Sequence, residues 1–152
     1  MPKSKLEIGS FFILFMGMYT LVISILWIFL TEIMFVSDFA HFTGITFQEY
    51  LNNPTTVVFA QMYIITKKLI GVMLLGIAVL IIFINQKCYR KGVKWSWYAL
   101  LIAGVIVWGT FISYKIFIGY IGASMATFAV GAGLFIVGIA LPAKEIFSKN
   151  SS

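Results

Sequence analysis

Cys88 is the only cysteine, so the chain cannot form an intrachain disulfide, a CxxC redox pair or a thiolate metal cluster. His41 is the only histidine, which excludes a bis-histidine haem or a histidine-rich zinc or iron site within one chain. The five acidic residues are scattered (Glu7, Glu32, Asp38, Glu49, Glu145), and none falls in the middle of an apolar run. Proton-coupled pumps and transporters usually need such a mid-membrane carboxylate. Charged residues make up only 11% of the 152 residues, about half the usual fraction, which leaves little for the surface of a soluble domain. No catalytic residue, metal site or cofactor is predicted.

What the chain has in abundance is apolar sequence. Hydrophobic residues reach 61% and gather in four runs, giving expected spans at 8–31, 66–86, 95–116 and 120–141. A helix of about 20 apolar residues matches the hydrocarbon layer of a bilayer, and no small soluble domain could bury four of them. The predicted fold class is therefore all-α: one polytopic domain over 1–152, a four-transmembrane-helix bundle with a short extracytoplasmic helical connection over 33–65. The first run follows Lys3 and Lys5 but lacks a small-x-small cleavage site, so it is read as a retained span rather than a signal peptide.

The placement of positive charge sets the expected orientation. Lys3 and Lys5 precede span one, Lys87, Arg90, Lys91 and Lys94 lie between spans two and three, and Lys144 and Lys149 follow span four. The connection after span one instead carries Glu32, Asp38 and Glu49. Cytoplasmic loops hold the excess of Lys and Arg, so both termini are expected in the cytoplasm of a multi-pass cell-membrane protein. The net charge of +6 thus points to lipid headgroups rather than nucleic acid. Lys87, Arg90, Lys91 and Lys94 form a candidate anionic-lipid contact. Cys88 beside them is a free thiol, with reversible acylation as the sharper alternative.

Lys67, Lys68 and Lys115 break the pattern, at the outer ends of spans two and three. Snorkelling explains them singly. Together with Glu32 at the end of span one, they form a candidate outer charge cluster. His41 and Asp38 offer at most a weak metal contact.

Small and hydroxyl residues supply candidate packing faces, because helices in lipid associate through close backbone approach and interhelical hydrogen bonds. Span one carries Ser10, Gly17, Thr20, Ser24 and Thr31 on one face, and span four carries Gly122, Ala126, Ala129, Gly133 and Ala140. Span three offers Ala99, Ala103, Ile106, Thr110 and Ser113. All three faces are expected to point inward, with span two, which has only Gly71, Gly76 and Ala78, more exposed to lipid. Gly119, Gly122, Gly131 and Gly133 lack the strand context of a phosphate loop and are read as packing glycines.

In the connection, Thr46 and Glu49 have capping-box spacing and predict a short helix ending at Asn52. Asn53 is expected to cap the next helix, with Pro54 at its first position. The apolar residues Phe35, Phe39, Phe42, Phe47, Tyr50 and Leu51 predict that this segment lies against the outer end of the bundle. Trp95, Trp97 and Tyr98 suit the inner aromatic belt. Pro142 frees the carbonyl of Gly138 and marks the membrane exit, with a frayed tail behind it.

The order of parts resembles the small DoxX-like four-helix membrane proteins, with a basic turn leading into an aromatic start (Lys94, Trp95, Ser96, Trp97, Tyr98) and Gly92 to Leu100 as the motif-like portion. Some members of that group are membrane subunits of quinone-linked redox enzymes. The resemblance implies architecture and carries no catalytic residue to this chain. The function expected from the residues is non-catalytic: an accessory or assembly subunit packing with partner membrane helices, or a homo-oligomer, in contact with membrane lipid. The alternatives are a small-solute channel or carrier along Thr20 and Ser24, and a quinone-linked redox subunit using aromatics such as Trp27 and Trp108.

Overall fold

The computed structural model describes residues 4–119 and 123–148. Seven α-helices and one 3-10 turn account for nearly all of them: α1 (Lys5–Phe29), α2 (Thr31–Met34), α3 (Val36–Thr43), α4 (Phe47–Asn52), α5 (Val57–Lys87), the 3-10 turn Tyr89–Lys91, α6 (Lys94–Ile118) and α7 (Ala123–Ser148). Four of these, α1, α5, α6 and α7, are long and apolar enough to cross a membrane. Along their middle turns the outer surfaces carry exposed Phe15, Met73, Leu80, Ile102 and Ile136, and the exposed charges Lys5, Glu7, Lys87 and Lys144 stand near the helix ends. A bundle whose outside is as greasy as its inside is soluble only in lipid. The chain is a multi-pass integral membrane protein.

Helix α1 is the centre of the arrangement, packed on α5 along one side and on α7 along the other, while α6 rests chiefly on α7. The sequence of α1 explains this position. Ser10, Gly17, Thr20 and Ser24 are buried as expected, and Thr31 is buried at the start of α2. A Cβ at Gly17 would come within 2.8 Å of the Ile82 side chain on α5, so only glycine permits that approach. On the other side Gly138 of α7 would meet Ile13 at 2.7 Å.

Helix α5 is more engaged than expected. Its buried residues Lys67, Gly71, Leu74, Ala78, Ile81 and Asn85 recur at alternating intervals of four and three, the seam of a left-handed helix pair. Asn85 closes that seam: Ser10 Oγ donates to its Oδ1 at 3.1 Å, and its Nδ2 donates to the Ser10 carbonyl at 3.0 Å.

Two expected inward faces point outward. In α7 the buried residues are Phe128, Gly131, Phe135, Gly138, Ile139, Pro142 and Ile146, while Ala126, Ala129, Gly133 and Ala140 are exposed; Gly122 lies outside the described residues. In α6 the buried line is Ser96, Leu100, Gly104, Trp108 and Lys115; of the expected face, Ala99 and Ala103 are half-buried and Ile106, Thr110 and Ser113 are exposed. The reason is shape. The Phe135 ring occupies the space over Gly104 and the Trp108 ring that over Gly131, so one large residue from each helix fills one glycine notch on the other. Ring-into-notch packing gains more dispersion contact than two flat small-residue faces.

At the end of the bundle that holds the termini, Pro142 sits inside α7, which continues to Ser148 rather than fraying. The freed Gly138 carbonyl accepts from Tyr89 Oη at 2.7 Å, and Trp97 Nε1 donates to the next carbonyl, Ile139, at 3.0 Å. Glu145 accepts from the backbone N–H of Leu6 at 3.0 Å, serving the first turn of α1, where Ser4 and Glu7 form a capping box. Lys87, Arg90 and Lys91 are exposed there, and Lys94 lies over the Phe147 ring.

The connection folds as three short helices instead of one. The Thr46–Glu49 capping box starts α4 as predicted. Asn53, however, accepts from the backbone N–H and hydroxyl of Thr55 in a local turn, and α5 begins at Val57. Asn side chains favour such turns over capping when Pro follows and the chain must reverse. The connection packs on the bundle as expected: Phe35 stands edge-on to Trp27, and Phe39 is ringed by Phe47, Tyr50 and Tyr63.

Candidate functional site

Helix α3 begins straight after Phe35, and its period of about 3.6 residues puts Phe35, Asp38 and Phe39 on one face. All three are buried. A carboxylate on the apolar face of a short helix needs a partner, and Lys115 supplies one: its Nζ lies 2.6 Å from Asp38 Oδ2, with both side chains 1% exposed. Each charge also suits its own helix end. Asp38 is in the first turn of α3 and Lys115 in the last turn of α6, where the helix dipoles favour an anion and a cation respectively. Asp38 Oδ1 has no hydrogen-bond partner among the described residues.

Lys67 enters from the α5 seam, 7% exposed. Its Nζ donates to Tyr114 Oη at 2.9 Å and lies 4.2 to 5.2 Å from the ring centres of Tyr114, Phe35 and Tyr63. Three rings around an ammonium supply cation–π attraction in place of lost hydration. Asp38, Lys67 and Tyr114 share the wall of a cavity of about 630 Å³, between α3, α5 and the end of α6, whose other walls include Phe42, Phe59, Tyr63 and Phe117. Its mouth is apolar: Phe42, Phe59 and Phe117 are 64%, 65% and 80% exposed.

Of the four residues in the expected charge cluster, Lys67 and Lys115 come together here, and the remaining two do not. Glu32 is exposed on α2 and forms no ion pair among the described residues, because it lies one position past the buried Thr31 and turns outward. Lys68 is half-buried on the flank of α5. The missing anion is Asp38. Its signal was the i, i+3, i+4 pattern Phe35, Asp38, Phe39, which marks a carboxylate on a buried stripe. His41 is exposed and Asp38 is engaged by Lys115, so the two do not form a joint metal contact.

The other expected positions serve packing. The Thr20 and Ser24 hydroxyls donate to the α1 carbonyls of Met16 and Leu21. Trp27 and Trp108 are each 4% exposed, within an aromatic group that includes Phe111 stacked on Phe128 at 4.8 Å. No protein-family model, curated protein or solved structure matches the chain.

Proposed function

We propose that this protein is a non-catalytic binding subunit of the cell membrane, with both termini in the cytoplasm and its cavity in the outer leaflet, and that the cavity holds the polar end of an amphiphile. The observation that carries this reading is the cavity wall. Ionised groups removed from water cost stability even when paired, and charged residues within membrane segments are functional sites by default. Here Asp38 and Lys67 line a space open through an apolar mouth. Among the described residues of the wall, none forms a nucleophile with its base. Extraction in a lipid-preserving polymer should recover one amphiphile per chain, lost in Thr66→Trp, which fills the cavity from a half-turn of α5 beside Lys67. An empty wild-type protein would sink the reading.

The exposed small residues favour a second role, assembly with partner helices. Gly109 of α6 and Gly133 of α7 have open space where a side chain would stand, and Ala126 and Ala129 of α7 are exposed. A cysteine at Gly133 in a Cys88→Ser background should crosslink to a second chain in the membrane. A strictly monomeric product would count against assembly without touching the cavity. The DoxX-like layout fits either role, as a shared architecture without a transferred activity.

A further inference from the structure

Given an amphiphile in the cavity, the reading proposed above, the wall chemistry specifies its class. Lys67 and Asp38 line the wall and Lys115 stands behind Asp38 as its partner, so the described residues bring two ammoniums and one carboxylate together, an excess of one positive charge in a low-dielectric site. A single anion on the occupant relieves that excess. Lys67 can accept this role: an ammonium has three donors, and its hydrogen bond to Tyr114 Oη uses one.

Asp38 adds a second requirement. Its Oδ2 is taken by Lys115, and its buried Oδ1 has no partner among the described residues. A buried acceptor without a donor costs about as much as a lost hydrogen bond, and an occupant that also donates relieves that cost. A fatty carboxylate brings the anion but no donor. A choline headgroup has no N–H or O–H, and an ethanolamine zwitterion donates but leaves the excess charge in place. A phosphodiester with a free hydroxyl meets both needs, its phosphate on Lys67 and its hydroxyl on Asp38. The apolar mouth at Phe42, Phe59 and Phe117 lets acyl chains run directly into the bilayer.

We infer that the cavity binds the headgroup of an anionic, hydroxyl-bearing phospholipid of the phosphatidylglycerol type. Native mass spectrometry of the full chain, titrated with phosphatidylglycerol, phosphatidylmethanol and phosphatidylcholine, separates the two requirements, because phosphatidylmethanol keeps the charge and lacks the hydroxyls. Wild-type protein should bind phosphatidylglycerol about tenfold tighter than phosphatidylmethanol and tighter still than phosphatidylcholine, the scale of one charge-assisted hydrogen bond. Lys67→Gln should erase the preference for charge, and Asp38→Asn the preference for hydroxyl.

The lipid series on unaltered protein decides the matter even if Asp38→Asn fails to fold. Equal binding of all three lipids, still blocked by Thr66→Trp, would overturn the assigned class and leave an amphiphile site standing. Lipid adducts indifferent to both Thr66→Trp and Lys67→Gln would lie elsewhere, as at the exposed Arg90 and Lys91, and would overturn both readings.

Discussion

Tyr89 shows how one side chain repairs a fault written into another segment. Pro142 cannot donate to Gly138, so that carbonyl would stand unsatisfied inside the bundle, and the fully buried Tyr89 delivers its hydroxyl there at 2.7 Å. Tyr89→Phe keeps the ring and removes the bond, so we predict a loss of about 1 kcal/mol in reversible unfolding from mixed micelles. Adding Pro142→Ala to the same protein should recover most of that loss, because the helix then satisfies its own carbonyl. Glycine notches predict larger effects. A side chain at Gly131 would overlap the Trp108 ring. Gly131→Leu should therefore destabilise by about 1–3 kcal/mol, the usual cost of overpacking, whereas Gly133→Leu, with open space around it, should be neutral in the same unfolding assay.

At the scale of elements, the α1–α5 pair depends on its seam. The Ser10–Asn85 clamp joins α1 to α5 by two hydrogen bonds, and Asn85→Leu should weaken the pair by about 0.6–2 kcal/mol, read as a lower unfolding midpoint. Helix α4 carries a pH dependence of its own. Hydrogen bonds from the Thr46 hydroxyl and backbone hold the Glu49 carboxyl below the usual carboxylate range. A lowered pKa means that the contribution is complete above the ordinary carboxylate pKa and disappears as pH falls through the folded value. The protection factor of the Thr46 amide, its exchange measured against the intrinsic rate at each pH, should accordingly fall under acid, and in Glu49→Gln it should lose that acid-linked step. This capping box was legible because both partners are local. So were the four spans, the buried face of α1 and the packing of the connection, each written in periodicity or composition. The inward faces of α6 and α7 were not, because small residues and large ones both pack well in lipid. Which face turns inward depended on Phe135 and Trp108 finding notches on the facing helix, a long-range match that no spacing within one helix reveals.

For the whole molecule, the decisive feature is how the connection closes the far end of the bundle. Helices α5 and α6 are brought together there by Lys67 and Tyr114, and α3 is drawn in by Asp38 and Lys115. Sequence reasoning found the two lysines, as charges out of place, and missed their anion because Asp38 is distant in the chain from Lys115. Orientation is tested separately. In cells, a membrane-impermeant maleimide should label a cysteine placed at Thr55 and leave Cys88 unreacted; the reverse pattern would invert the topology. The closure of this end depends above all on Asp38 and Lys115 being paired inside the bundle. A double-mutant cycle of Asp38→Asn and Lys115→Met, followed by unfolding in lipid nanodiscs, measures that pairing directly. Each single change should cost about 3–5 kcal/mol by stranding a buried charge, and the double change should cost far less than their sum. Strictly additive losses would show that the two groups never meet, and the site built around them would be lost.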